Sequence, residues 1–226
     1  MIQPGKPLLF SIALFPPVDY MALMLFGGEV VLEAHENYQK QSYRNRYVVQ
    51  GPNGHQQLVV PVSKEKSGAV PVTEVNISAT ENWRQIHKRT LQTAYRKSPW
   101  YIHYGEQIET IINNPAKTLW DFASHALKMV SALLGHQLTY ELSDRYIPSP
   151  ENHVDVRELF HPKKQKVQFH IKPTENTYYQ VFEEKHGFMH NLSVVDLLFN
   201  EGPLAYNWLK ARYQEMVQNN TLPRSS

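Results

Sequence analysis

The chain opens with a nearly unbroken apolar run over residues 7 to 15, PLLFSIALF, stopped by Pro16 and Pro17, the pattern of a buried strand. Asp19 is placed to cap a following helix, YMALMLFG, which Gly27 and Gly28 close. EVVLEAHE then reads as a second strand. Strand, helix, strand over so short a distance predicts a βαβ unit with parallel strands. RYVV and QLVVPV flank GPNG, whose Asn53-Gly54 pair signals an antiparallel hairpin. VTEVNIS predicts one further short strand.

From residue 82 the apolar spacing becomes helical. NWRQIHKRTLQTAYRKS puts Trp83, Ile86, Thr90, Leu91 and Ala94 on one face, with Asn82 and Gln85 spaced as a capping pair. YIHYGEQIETII and TLWDFASHALKMVSALLG predict two more helices, parted by Asn113-Asn114-Pro115, and TYELSD a returning strand. Residues 148 to 176 lose periodicity and gather Lys163, Lys164 and Lys166, the texture of a surface excursion. The tail, YYQVF and then LSVVDLLFNEGPLAYNWLKARYQEMV, recovers order as one or two helices. The pattern predicts an α/β fold: a mixed, partly parallel sheet of about five or six strands, helices packed over it, and a C-terminal helical extension. Residues 1–147 form the α/β core domain, and 148–226 supply the polar excursion and C-terminal helices packed on the same domain.

Composition narrows the chemistry. With 42% hydrophobic and 19% charged residues the chain has an ordinary globular balance. A formal charge of +2 leaves no global nucleic-acid footprint, and three loop lysines do not make one, so no nucleic-acid partner is expected. Zero cysteines exclude disulfides, thiolate metal sites and a cysteine nucleophile. The stretch PLLFSIALFPPVDYMALMLF is interrupted by Pro16, Pro17 and Asp19, which argues against membrane insertion and for a soluble cytoplasmic protein. There is no P-loop, dinucleotide fingerprint, HExxH or GxSxG.

Constellations remain. KQSYRNRYVV packs Lys40, Arg44 and Arg46 into the entrance of a strand. If extended, Arg44 and Arg46 share a face, and two guanidinium forks can grip a phosphate or carboxylate. The competing use is pairing with Glu33 or Glu36 on the neighbouring strand. His87 lies one turn from Trp83 and one from Leu91, on the apolar face, where an imidazole is either a packed core group or a sheltered base. Tyr95 and Lys97 close the same helix. His35 and Glu36 end the second strand near the arginines. His186 and His190 have i, i+4 spacing, but Gly187 between them argues against a helical metal pair, and no metal is expected.

LFPPVDYMALM, then ENYQKQSYRNRYVVQGPNGHQQLVVPV, then WRQIHKRTLQTAYRKSPWYIHY resemble the WbqC-like family in order and spacing. The tail YYQVFEEKHGFMHNLSVVDLLFNEGP resembles the version found in Bacteroidetes-type bacteria. The resemblance implies a protein of surface-polysaccharide and O-antigen biosynthesis that transfers an acyl or aminoacyl group onto an amino sugar, forming an amide. It carries the family's polar motifs onto Gln39, Lys40, Arg44, Asn45, Arg46, Lys64, Trp83, His87, Tyr95 and Lys97. It departs in its first strand, where Ser11 is the sole polar group of LLFSIALFPP.

In that enzyme, Arg44 and Arg46 hold the phosphate of an acyl thioester or sugar nucleotide, and Gln39, Lys40, His35, Lys64 and Lys97 complete the substrate site. His87 deprotonates the amine, Asn45 or a backbone N–H steadies the oxyanion, and Tyr95 lines the same cleft. No cofactor is implied, and an acyl-carrier protein is one source of the thioester. The alternative is a non-catalytic sugar-nucleotide or partner-binding protein of the same pathway. The state of His87 discriminates between them.

Overall fold

The computed structural model describes residues 6–63, 69–79, 82–162 and 176–219. Lys64 and the lysines of the excursion fall outside them. The opening apolar run divides into β1 (Leu8–Phe10) and α1 (Val18–Phe26), and β2 (Val30–Leu32) pairs with β1 in parallel, Leu8 opposite Val30. The βαβ unit is present. Among the described residues no helix is long and apolar enough to cross a membrane.

Two later strands complete this sheet. β5 (Glu141–Leu142) adds to β2, and β6 (Val154–Asp155) adds to the other side of β1, giving the order β5-β2-β1-β6 with every pairing parallel. Here β1 is central, and all three of its side chains are fully buried, as a parallel strand covered on both faces requires. The chain winds one way from β1 through β2 to β5, then crosses back to β6. Between β1 and β6 the winding reverses, and such a reversal opens a crevice at the carboxyl ends of strands.

β3 (Arg46–Gly51) and β4 (Gly54–Val59) form the expected hairpin as a separate two-stranded sheet, with Gly54 at φ +98° closing the turn. Parallel and antiparallel pairing are therefore divided between two sheets. VTEVNIS is not a strand: a 3-10 turn occupies Val72–Glu74, and isolated bridges join Ile77 to Val62 and Asn76 to Thr118.

Helices α2 (Trp83–Tyr95), α3 (Tyr101–Ile112) and α4 (Leu119–Leu133) follow. Thr118 caps α4 by accepting from the Asp121 amide, but Asn82 makes no side-chain cap bond, and Ile86 points to solvent at 56% exposure. After a short α5 (Glu183–His186) come α6 (Val194–Glu201) and α7 (Ala205–Gln218), the C-terminal helical extension. α6 is buried from Val194 through Asn200, and its apolar residues join the same core as β1 and α1. Asp19 sits inside the first turn of α1 rather than capping it. Its carboxylate accepts from Arg212 of α7 at 2.7 and 3.1 Å, binding the first helix to the last.

Candidate functional site

Because the four strands are parallel, their carboxyl ends share one edge, and the residues just beyond them are polar. Ser11 follows β1, Glu33 follows β2, Ser143 follows β5 and Arg157 follows β6 closely. Glu33 is fully buried, and four donors satisfy it: the His35 and Ile147 amides, the Ser143 hydroxyl at 2.7 Å and Arg157 at 3.5 Å. One carboxylate thus fixes the β5–β6 connection and the segment after β6 against the sheet.

Arg44 belongs to this edge. It is 3% exposed, donates from Nε to Glu36 Oε1 at 2.8 Å, and reaches both Glu36 Oε2 and the Ser11 hydroxyl through Nη2. Residues 41 to 45 form turns rather than extended chain, with Gln41 at φ +61°, so strand alternation does not align Arg44 with Arg46. Of the two competing uses of Arg44, pairing with Glu36 is the one observed. Arg46 opens β3 instead, and among the described residues it has no carboxylate partner. Its Nε is buried without a hydrogen bond, and burial holds its guanidinium below the usual arginine range, with neighbouring Tyr38 acting the other way.

A crevice of about 570 Å³ lies at this edge, lined by Glu36, Tyr38, Gln39, Tyr146, Arg157 and Glu158 among others. Its charges are mostly spent internally: Glu36 on Arg44, and Asp155 on Arg157 at 2.7 Å. Arg157 also stacks over the Tyr146 ring at 5.7 Å. Tyr38 joins the crevice to the hairpin; burial pushes its hydroxyl up, and Arg46 and Arg44 pull it back.

α2 runs along β3. His87 lies on its inward face at 2% exposure, edge-on to Trp83 at 5.1 Å, with Nε2 3.1 Å from the Val59 carbonyl and Nδ1 3.2 Å from the Tyr47 hydroxyl. The carbonyl can only accept, so Nε2 carries the proton and Nδ1 accepts from Tyr47. Burial pushes the imidazole down to about 4, so the ring is neutral at neutral pH. His87 is not among the residues that line the crevice at the carboxyl edge. Tyr95 is eight residues, about 12 Å, further along the axis. Its buried hydroxyl donates to Asp196 at 2.6 Å and accepts from the Gln50 amide.

Asn45 is buried beside the hairpin entrance, its amide donating to the Val60 carbonyl at 2.9 Å while Oδ1 has no partner. His35, Lys40 and Lys97 are exposed, and Lys97 lies beyond the end of α2. His186 ends α5 with Nε2 on the Pro52 carbonyl at 3.0 Å. No group of three metal-ligating side chains occurs among the described residues.

The WbqC-like protein family matches residues 13–156 and 145–207, which is most of the chain. The chain belongs to the WbqC-like family. A protein of Mycobacterium tuberculosis (strain ATCC 25618 / H37Rv), Uncharacterized protein Rv1507c, is 24% identical to this WbqC-like chain over 216 residues, covering 84% of this chain and 91% of its own length. No solved structure gives a significant match.

Of the residues singled out in the sequence, Gln39 and Glu36 line this crevice. Tyr38, Tyr146, Arg157 and Glu158 line it as well and were not singled out there. The signal was present in HVDVRE, residues 153 to 158, where Val154 and Val156 alternate with polar neighbours as a strand does, and charged residues follow at the carboxyl end.

Proposed function

We propose that this WbqC-like protein is an amide-forming transferase of surface-polysaccharide biosynthesis, acting in the cytoplasm on an amino sugar. The observation that carries the proposal is Arg46, a partly desolvated guanidinium without a carboxylate partner among the described residues, near enough to act on the hydroxyl of Tyr38, which lines the crevice at the carboxyl edge. A cation held this way gains most from an anion that completes its hydrogen bonds. The phosphate of a pantetheine thioester or of a nucleotide-linked sugar supplies one, and an acyl-carrier protein can deliver the thioester.

The acceptor amine attacks the thioester carbonyl directly. The C–N bond forms as the C–S bond breaks, and the amine's surplus proton leaves with the thiolate as a free thiol. No side-chain nucleophile enters, in keeping with a chain that has no cysteine. His87 is assigned to the scaffold, since both nitrogens are already engaged and the ring is neutral.

The same observation on His87 favours a second reading, a non-catalytic sugar-nucleotide or partner-binding protein of the pathway. The two part on one experiment. Incubated with an acyl-pantetheine thioester and a nucleotide-linked amino sugar, the enzyme gives an N-acylated product by mass spectrometry, with sequential kinetics and no acylated protein. A covalent acyl-protein excludes direct transfer; binding without product supports the second reading.

A further inference from the structure

The crevice at the carboxyl edge has a charge pattern that Arg46 does not share. Four carboxylates stand at this edge, those of Glu33, Glu36, Asp155 and Glu158, against the two guanidiniums of Arg44 and Arg157. Glu36 and Asp155 are each held by an arginine. Glu158 is not: among the described residues it meets only the amide of Gln39, at 3.4 Å. Glu158 is thus a carboxylate on the crevice wall without a cationic partner among the described residues, and a cation entering there meets it.

Four further features describe what would enter and where. Gln39, on the same wall, keeps a buried Oε1 without a hydrogen-bond partner among the described residues, an acceptor whose hydrogen bond the protein leaves unmade. Tyr38 and Tyr146 line the crevice too; Arg157 already lies over one face of Tyr146 at 5.7 Å, and the residue is still 52% exposed, which leaves aromatic surface for apolar C–H edges. The volume of about 570 Å³ falls within the range that holds a small ligand rather than a single ion or a polymer. Its walls come from the segments that follow β2 and β5 and from the end of β6, at the carboxyl edge of the sheet, where open α/β sheets receive ligands.

We infer that this crevice binds a hydroxylated ring bearing a free ammonium, with Glu158 meeting the ammonium and Gln39 a neighbouring donor. The assignment rests on the transferase reading only in naming this ligand as the acceptor; the binding itself needs no turnover. It divides the labour between two places, a cation on the hairpin for the phosphate and a carboxylate in the crevice for the amine.

The test is ligand-observed NMR titration of the full chain at about pH 6, where an amine of this class is protonated, with glucosamine, N-acetylglucosamine and glucose as probes. Glucosamine is expected to bind at least about tenfold more tightly than the two neutral sugars. Glu158→Gln, nearly isosteric on a half-buried side chain, is expected to reduce glucosamine to the level of glucose and leave glucose unchanged. Tyr146→Ala, on the exposed rim, is expected to weaken all three sugars together. Equal binding of glucosamine and N-acetylglucosamine, a preference that survives Glu158→Gln, or no binding of any sugar each overturns the assignment. Selective glucosamine binding without amide formation leaves it standing and removes the transferase reading. Amide formation that is indifferent to Glu158→Gln does the reverse.

Discussion

The polar cluster at the carboxyl edge of the sheet and the polar cluster at the start of α6 are made from similar parts. Each centres on buried carboxylates, and each draws donors from distant stretches of the chain. At the sheet edge, Glu36 is met by a guanidinium and a serine hydroxyl. At α6, Asp196 is met by the hydroxyls of Tyr95 and Tyr178, both at 2.6 Å, and by the Gln180 amide at 3.4 Å, with no cation among the described residues. Burial accordingly pushes Asp196 from 3.8 up to about 6, while the hydrogen bonds pull against it. The first cluster backs an open crevice and the second is sealed. Under the proposed function, adjoining open volume and unpaired charge mark the site, and tyrosines, amides and a raised carboxyl by themselves do not. That contrast separates Arg46 and Glu158 from His87, Tyr95 and Asp196.

The largest effect should come from breaking the charge balance of the first cluster. Arg44→Ala leaves Glu36 buried without its cation and is expected to cost about 3–5 kcal/mol in urea denaturation. A loss below about 1 kcal/mol would show that Glu36 is solvated or protonated, and the rim would not be rigid as described.

The second cluster should respond to pH instead. Asp196 carries a folded-state pKa above its unfolded value, so its contribution is fully present below about pH 4 and is lost as pH rises through about 6. The stability of the wild type minus that of Asp196→Asn should therefore fall by about 2–3 kcal/mol between about pH 4 and pH 7. A flat difference profile would mean that the two tyrosines fully offset the cost of burying the charge.

A smaller effect is expected at His87's partner. Tyr47→Phe removes one neutral hydrogen bond and should cost about 1 kcal/mol by thermal denaturation, with amide formation unchanged. A large loss of activity without loss of stability would return His87 to the chemistry.

Legibility from sequence followed the range of the interactions. β1, α1 and β2 were readable because apolar runs and the Pro-Pro and Gly-Gly stops lie within a few residues of one another. The β3–β4 hairpin was readable from Asn53-Gly54. β6 was hidden because two residues become a strand only by pairing with Leu8 and Leu9, far away in the chain. VTEVNIS has strand composition but meets its neighbours through single bridges, which no local pattern reveals. Arg44 and Arg46 looked equivalent because alternation was carried one turn too far; the turn at 41 to 45 sends Arg44 into the sheet edge. His87 was placed correctly on the buried face by its spacing from Trp83, but spacing is silent on whether a buried imidazole borders a cavity or a carbonyl.

The central claim is that Arg46, and not Arg44, is the cation available to a ligand. Isothermal titration of the wild type and Arg46→Ala with a nucleotide-linked amino sugar tests it most directly. The account predicts that Arg46→Ala keeps stability within about 1 kcal/mol of wild type and binds at least about tenfold more weakly. Undiminished affinity in a folded Arg46→Ala protein would contradict it.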